Sequence, residues 1–76
     1  MLNADLEVDA RGLNCPLPIL RARQGINRLS TGQVLKIIAT DPGSVKDLDA
    51  FCKQTGNEML ESRQQNGEYH FKLRKG

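Results

Sequence analysis

Near its C-terminus the chain reads Gln65-Asn66-Gly67-Glu68, between two stretches that alternate polar and apolar residues. Asn-Gly suits a two-residue type I′ turn, because both central positions need positive φ. A hairpin therefore closes the chain, and the turn sets its register. Counting outward, Gln65 pairs with Glu68, Arg63 with His70, Glu61 with Lys72 and Leu60 with Leu73. Tyr69, Phe71 and Leu73 then share one face with Leu60 and Ser62. Glu61 and Lys72 form a cross-strand charge pair on the other face. His70 turns to that outer face as a satisfied or solvated surface side chain.

Upstream, the hydrophobic period changes twice. "DLEVD" at 5–9 alternates, with Leu6 and Val8 toward a core, and reads as a strand. "ARGLNC" is a loop pivoting on Gly12. From Pro16 to Leu29 the apolar positions Ile19, Ala22, Ile26 and Leu29 recur at helical steps. Gly25 weakens the second half of that helix. After a break at "STGQ", "VLKIIAT" at 34–40 reads as a central strand, apolar on both parities. Leu35, Ile37 and Ala39 face the helices; Val34 and Ile38 lie on the other side beside Lys36. "DPGS" is a turn, and Ser44 with Asp47 resembles a capping box. A second helix runs to about Thr55 with Val45, Leu48, Phe51 and Cys52 inward. Gly56 stands at its C-cap.

The order is β-α-β-α-β-β. Only 38% of the chain is hydrophobic, too little to cover both faces of a sheet. The expected fold is a two-layer α+β sandwich, with two helices on one face of a four-stranded mixed sheet. If the first two strands are parallel, the loops that follow them meet at one sheet edge, where sites collect in open α/β sheets. The Cys15 loop and the Asp41–Ser44 loop then become neighbours.

At 76 residues the chain is expected to form one domain, 1–76. No apolar run has the length of a transmembrane helix, so no membrane insertion is expected. The N-terminus "MLNADLEVDA" has acids where a signal peptide has basic residues. The expected compartment is the cytoplasm, where two cysteines stay reduced. One His and two Cys do not complete a tetrahedral zinc site, so no metal is expected. The net charge of +2 does not by itself imply nucleic-acid binding. Residues 10–40 carry Arg11, Arg21, Arg23, Arg28 and Lys36 and no acid. Such a stretch is a solvated helix face, a docking surface for an acidic partner, or a field that favours a thiolate.

Cys15 stands inside this basic stretch, in "GLNCPLP". At a helix entrance the macrodipole and free amides stabilise an anion, so its thiol pKa is expected to fall. Arg11 adds to the field. Pro16 and Pro18 lack amides and stiffen the segment. With Cys15 as the N-cap, Leu17 is the free amide of the first turn, whereas the resistance of a residue before proline to helical dihedrals would start the regular helix only at Pro18. Pro18 occupies the fourth position, where a dithiol oxidoreductase has its resolving Cys. Cys52 reads as inert core filler. With His70 turned away, no base completes a Cys–His hydrolase. A lone presented thiolate is suited to carry a group covalently and hand it on.

"DARGLNCPLP", "TDPGS", "DLDAFCKQTGNEML" and the closing "LRKG" resemble the TusA/SirA-like sulfur carrier family over nearly the whole chain, with Cys-Pro-x-Pro at 15–18 as the hallmark. Asn57 departs from the pattern, since many members carry His there. The resemblance implies the same βαβαββ sandwich, with Cys15 accepting a sulfane sulfur as a persulfide. It implies a cysteine desulfurase (itself using pyridoxal phosphate) or a rhodanese-like protein as donor, a downstream acceptor protein, and no cofactor of its own. The end point in one branch is thiolation of a tRNA wobble uridine. Around Cys15, Arg11, Gly12, Pro16 and Pro18 shape the motif. Leu13, Asn14, Leu17 and Arg21, with Asp41 and Pro42 from the neighbouring loop, are docking candidates. The chain is expected to be a monomer.

Two other readings share this fold. An RNA-binding module would use Arg21, Arg23, Arg28 and the basic tail Lys72, Arg74 and Lys75. One Tyr, two Phe and no Trp leave it short of a stacking platform, so no direct nucleic-acid binding is expected. A regulatory adaptor would bind a partner without using the thiol.

Overall fold

Leu35, Ile37 and Ala39 alternate along one strand and are fully buried, while Lys36 and Ile38 between them are half-buried on the other side. This strand lies inside the sheet. The computed structural model describes residues 4–76; residues 1–3 of the expected domain lie outside the described residues. The elements are β1 (Leu6–Ala10), α1 (Leu17–Asn27), β2 (Val34–Ala39), α2 (Ser44–Thr55), β3 (Glu58–Gln65) and β4 (Glu68–Arg74). The sheet has four strands in the order β1-β2-β4-β3. β1 and β2 are parallel, and the other two pairings are antiparallel. α1 packs on β1 and β2, α2 on β3 and β4, and the helices touch each other. The expected two-layer α+β fold is what forms.

The core lies between the helix layer and the sheet. Ala22 and Ile26 from α1 and Leu48, Phe51 and Cys52 from α2 meet Phe71 and Leu73 of β4 and the inner face of β2. Gly25 does more than weaken α1. A Cβ there would stand 2.9 Å from Leu35 Cδ1 and 3.2 Å from Val8 Cγ2. The glycine lets the helix approach the sheet closely, which accounts for its place in a buried helical position.

Several expectations are corrected. α1 begins at Leu17, with Pro16 as its cap residue. Val45 is 37% exposed and not part of the inward face of α2. The Ser44–Asp47 capping box does not form, because α2 has no side-chain cap hydrogen bond. Ser44 Oγ instead donates to the Asp41 carbonyl at 2.7 Å. The hairpin keeps its register from Gln65–Glu68 down to Glu61–Lys72, then shifts. Leu73 pairs with Met59 and not Leu60, because a bulge between Met59 and Glu61 absorbs one residue. Asn66 (φ 50°) and Gly67 (φ 77°) take the left-handed conformations the turn requires. His70 is on the outer face, but its side chain is only 12% exposed. It lies across from Ile38 and Arg63. Its Nε2 is 3.2 Å from Glu68 Oε1, while Nδ1 is buried without a partner.

Candidate functional site

The parallel pairing of β1 and β2 brings their following loops together, as expected. Gly12, at φ 79°, donates its N–H to Thr40 Oγ1 at 2.8 Å. The Cys15 N–H donates to Asp41 Oδ2 at 3.0 Å. The other Asp41 oxygen accepts from the Gly43 N–H at 3.4 Å. Asp41 therefore ties the two loops to each other. Ser44, 1% exposed, anchors the second loop beneath it.

Cys15 is exposed and its thiol is free. Its Sγ donates to Asp47 Oδ2 at 2.9 Å. This contact overturns the expectation of a lowered thiol pKa. The Asp47 hydrogen bond, with desolvation and the negative charges of Asp47 and Asp41 adding to it, pushes the Cys15 thiol above its ordinary value. The groups expected to favour the thiolate are engaged elsewhere. The Leu17 N–H donates to the Asn14 carbonyl at 2.8 Å, so it is not free for the sulfur. Arg11 donates to Asp9 through Nε at 3.0 Å and Nη2 at 3.1 Å, and its Nη1 reaches Glu68 Oε2 at 3.4 Å. Its hydrogen bonds hold the Asp9 carboxyl down at about 2, and Arg11 itself is pushed up. The basic stretch in the sequence does not make a basic site, because acids from α2 and its loop reach into it.

A groove of about 240 Å³ opens beside the thiol between α1 and α2. Cys15, Pro16, Ile19, Arg23, Asp47 and Phe51 line it. Pro18 is fully buried and anchors the start of α1, whereas Pro16 is exposed. Leu13 is half-buried against the core; Asn14 and Pro42 are exposed. Leu17 is 45% exposed. Arg21 lines a different groove, along β1 with Glu7 and Val8, and does not share the walls around Cys15. Cys52 is 4% exposed in the core, and burial pushes its thiol up to about 11. Among the described residues, no group of His, Cys, Asp and Glu is arranged to hold a metal ion.

Asp47 is the site residue that sequence reasoning missed. By its spacing alone, three residues after Ser44, it reads as a capping acid. The available signal was topological: once the two loops are neighbours, the first turn of the second helix also faces the Cys15 loop.

Among the described residues, no helix is long and apolar enough to cross a membrane. Residues 6–75 match the family described as sulfurtransferase TusA. The chain is 63% identical to the sulfur carrier protein TusA of Allochromatium vinosum, over 99% of each chain. It is 39% identical to the putative sulfur carrier protein YrkI of Bacillus subtilis, over 99% of this chain and 100% of that one. The crystal structure of a SirA-like protein from Desulfitobacterium hafniense superposes with a TM-score of 0.76 at 27% identity, covering 93% of this chain and 97% of that one. Architecture, the lone presented thiol and these relatives agree, and the chain belongs to the TusA family of sulfur carrier proteins.

Proposed function

We propose that Cys15 is the carrying residue and that it holds the sulfur as a persulfide. The observation that carries this reading is the exposed Cys15 thiol at the open end of the interhelical groove, with its backbone pinned by Asp41. A cysteine desulfurase or a rhodanese-like protein is the donor, and an acceptor cysteine on the next protein takes the sulfur. Exchange requires a sulfur nucleophile with open access, and a loop at a sheet edge provides the access. Cys52 does not resolve the persulfide, because it is packed into the core on the far side of α2 from solvent. The exposed Asn14, Leu17 and Pro42 form the docking rim. Gly12, Pro16 and Pro18 shape the loop and helix start, and Arg11 braces it through Asp9. The carrier works as a single cytoplasmic domain and monomer, in tRNA wobble-uridine thiolation or a related sulfur-trafficking pathway.

The RNA reading has less to work with. Phe51 and Phe71 are in the core and Tyr69 packs against it. In the basic tail, Arg74 pairs with Glu58, and Lys75 Nζ donates to the Leu29 carbonyl at 2.6 Å.

Incubation with a cysteine desulfurase and cysteine, followed by intact-mass measurement, tests the assignment. The wild type gains at least one sulfur atom, Cys15→Ala gains none, and Cys52→Ala gains as much as the wild type. A wild type that stays unmodified with both desulfurase and rhodanese donors removes the persulfide reading.

A further inference from the structure

A carrier with an exposed thiol meets oxidants and electrophiles between transfers. What surrounds the empty Cys15 therefore matters. Asp47, one turn into α2, accepts the thiol hydrogen at 2.9 Å. Asp41, from the loop before α2, holds the Cys15 amide at 3.0 Å and fixes the backbone that aims the thiol at Asp47. Arg23 of α1 lines the same groove but forms no ion pair with either acid among the described residues. Arg11, in the thiol's own loop, is occupied by Asp9 and Glu68. Among the described residues, neither arginine forms an ion pair with Asp41 or Asp47, and the Leu17 amide is taken by the Asn14 carbonyl.

We propose that Asp47 is a positioning residue that holds empty Cys15 as a hydrogen-bonded thiol, slow to react with stray electrophiles until a docked donor takes its proton, and releases it once sulfur is loaded. This rests on the reading of Cys15 as the sulfur-bearing residue, and adds how that residue is kept quiet and then freed. Loading follows from the chemistry of a donor cysteine persulfide. Cys15 Sγ gives up its proton and bonds to the donor's outer sulfur. The donor's S–S bond breaks, its electron pair stays on the donor cysteine sulfur, and that sulfur takes the proton. One S–S bond replaces another, so no outside oxidant or reductant is needed.

The product differs from the empty state at one atom that decides the contact. Sγ now bears sulfur where it bore hydrogen, so it has nothing to donate to Asp47. Two lone-pair-bearing atoms at hydrogen-bond distance repel. The outer sulfur is the more acidic group, and as an anion it is pushed away from Asp47 and Asp41. The open groove beside Pro16 and Ile19 gives it room to move. The same carboxylate therefore locks the thiol and ejects the persulfide.

Alkylation by iodoacetamide, followed at the Cys15 peptide by mass, tests the lock on empty protein. The rate is measured from neutral to alkaline pH for the wild type and Asp47→Asn. The wild-type midpoint is expected above the ordinary value of 9.0. In Asp47→Asn it falls, and more thiolate reacts at neutral pH than in the wild type. A wild-type midpoint at or below the ordinary value, or an unmoved midpoint in the variant, overturns the lock. If Asp47→Asn does not fold, Cys52 alkylates at once and the wild-type midpoint alone decides. On sulfur-loaded protein, the two forms are expected to react at the same rate; a slower wild type overturns the release. The empty-protein assay uses no sulfur donor, so its failure and a failure of sulfur loading are separate results.

Discussion

The two cysteines are both pushed toward the protonated form, for different reasons. Cys15 is exposed and held by a carboxylate, whereas Cys52 is desolvated by the core, with Asp49 adding a smaller effect. For Cys52 the consequence is a pH-dependent stability. Its thiol rises from an ordinary 9.0 to about 11 in the fold. The unfolded chain therefore loses this proton first as pH rises. The stabilisation is fully present below pH 9.0 and is lost as pH climbs through about 11. Unfolding of the wild type and Cys52→Ala, compared across that window, should show a stability difference that narrows with rising pH. A constant difference would show that burial does not set the Cys52 pKa.

Among the elements, α1 is the one whose position the site depends on most. Its cap is Pro16 and its first turn carries Pro18, and its middle rests on Leu35 and Val8 at Gly25. Helix propensity alone favours Ala over Gly by about 1 kcal/mol. Here the added methyl meets a Leu35 side chain that is fully buried, so neither partner has space to yield. Overpacking of this kind costs about 1–3 kcal/mol. Gly25→Ala is therefore expected to lower stability by about 1 kcal/mol net in urea unfolding. A stabilised variant would show that α1 moves off the sheet easily. β3 shows the opposite case, an element that adapts. Its bulge between Met59 and Glu61 lets Met59 pack against the core, where a regular ladder would have placed Leu60.

At the scale of the whole molecule, a thin core holds both layers. Phe71 is 1% exposed, sits opposite Ile37 of β2 and Ser62 of β3, and belongs to the cluster that includes Leu48 and Phe51 of α2. Truncating a buried Phe to Ala costs about 3–5 kcal/mol. A domain of this size has roughly 4–11 kcal/mol in total at the usual value per residue. Phe71→Ala should therefore lower the midpoint of thermal unfolding by more than about 10 °C. A shift of only a few degrees would mean that the helix layer closes over the cavity. The charges also settle at this scale. Arg11 joins the loop after β1 to Glu68 at the start of β4, and Arg74 joins the end of β4 to Glu58 at the start of β3.

Features set within a few residues were legible in the sequence. Asn66-Gly67 determined a turn because its φ requirement is local, and Gly56 ended α2 in the left-handed region for the same reason. The alternation of Leu35, Ile37 and Ala39 determined which side of β2 faces the helices, because successive side chains in a strand point to opposite faces. The Cys-Pro-x-Pro segment and the shared loop edge followed from the order of elements. What the sequence did not determine is the field at Cys15. Charge counted along the chain put the thiol among arginines and promised a thiolate. Charge counted through space puts it against Asp47, 32 positions away, and near Asp41, 26 positions away. That reversal depends on how α2 is rotated and how close its first turn comes to the Cys15 loop. Both are set by the packing of two helices on one sheet, and electrostatic energy follows that distance and not the spacing in the chain.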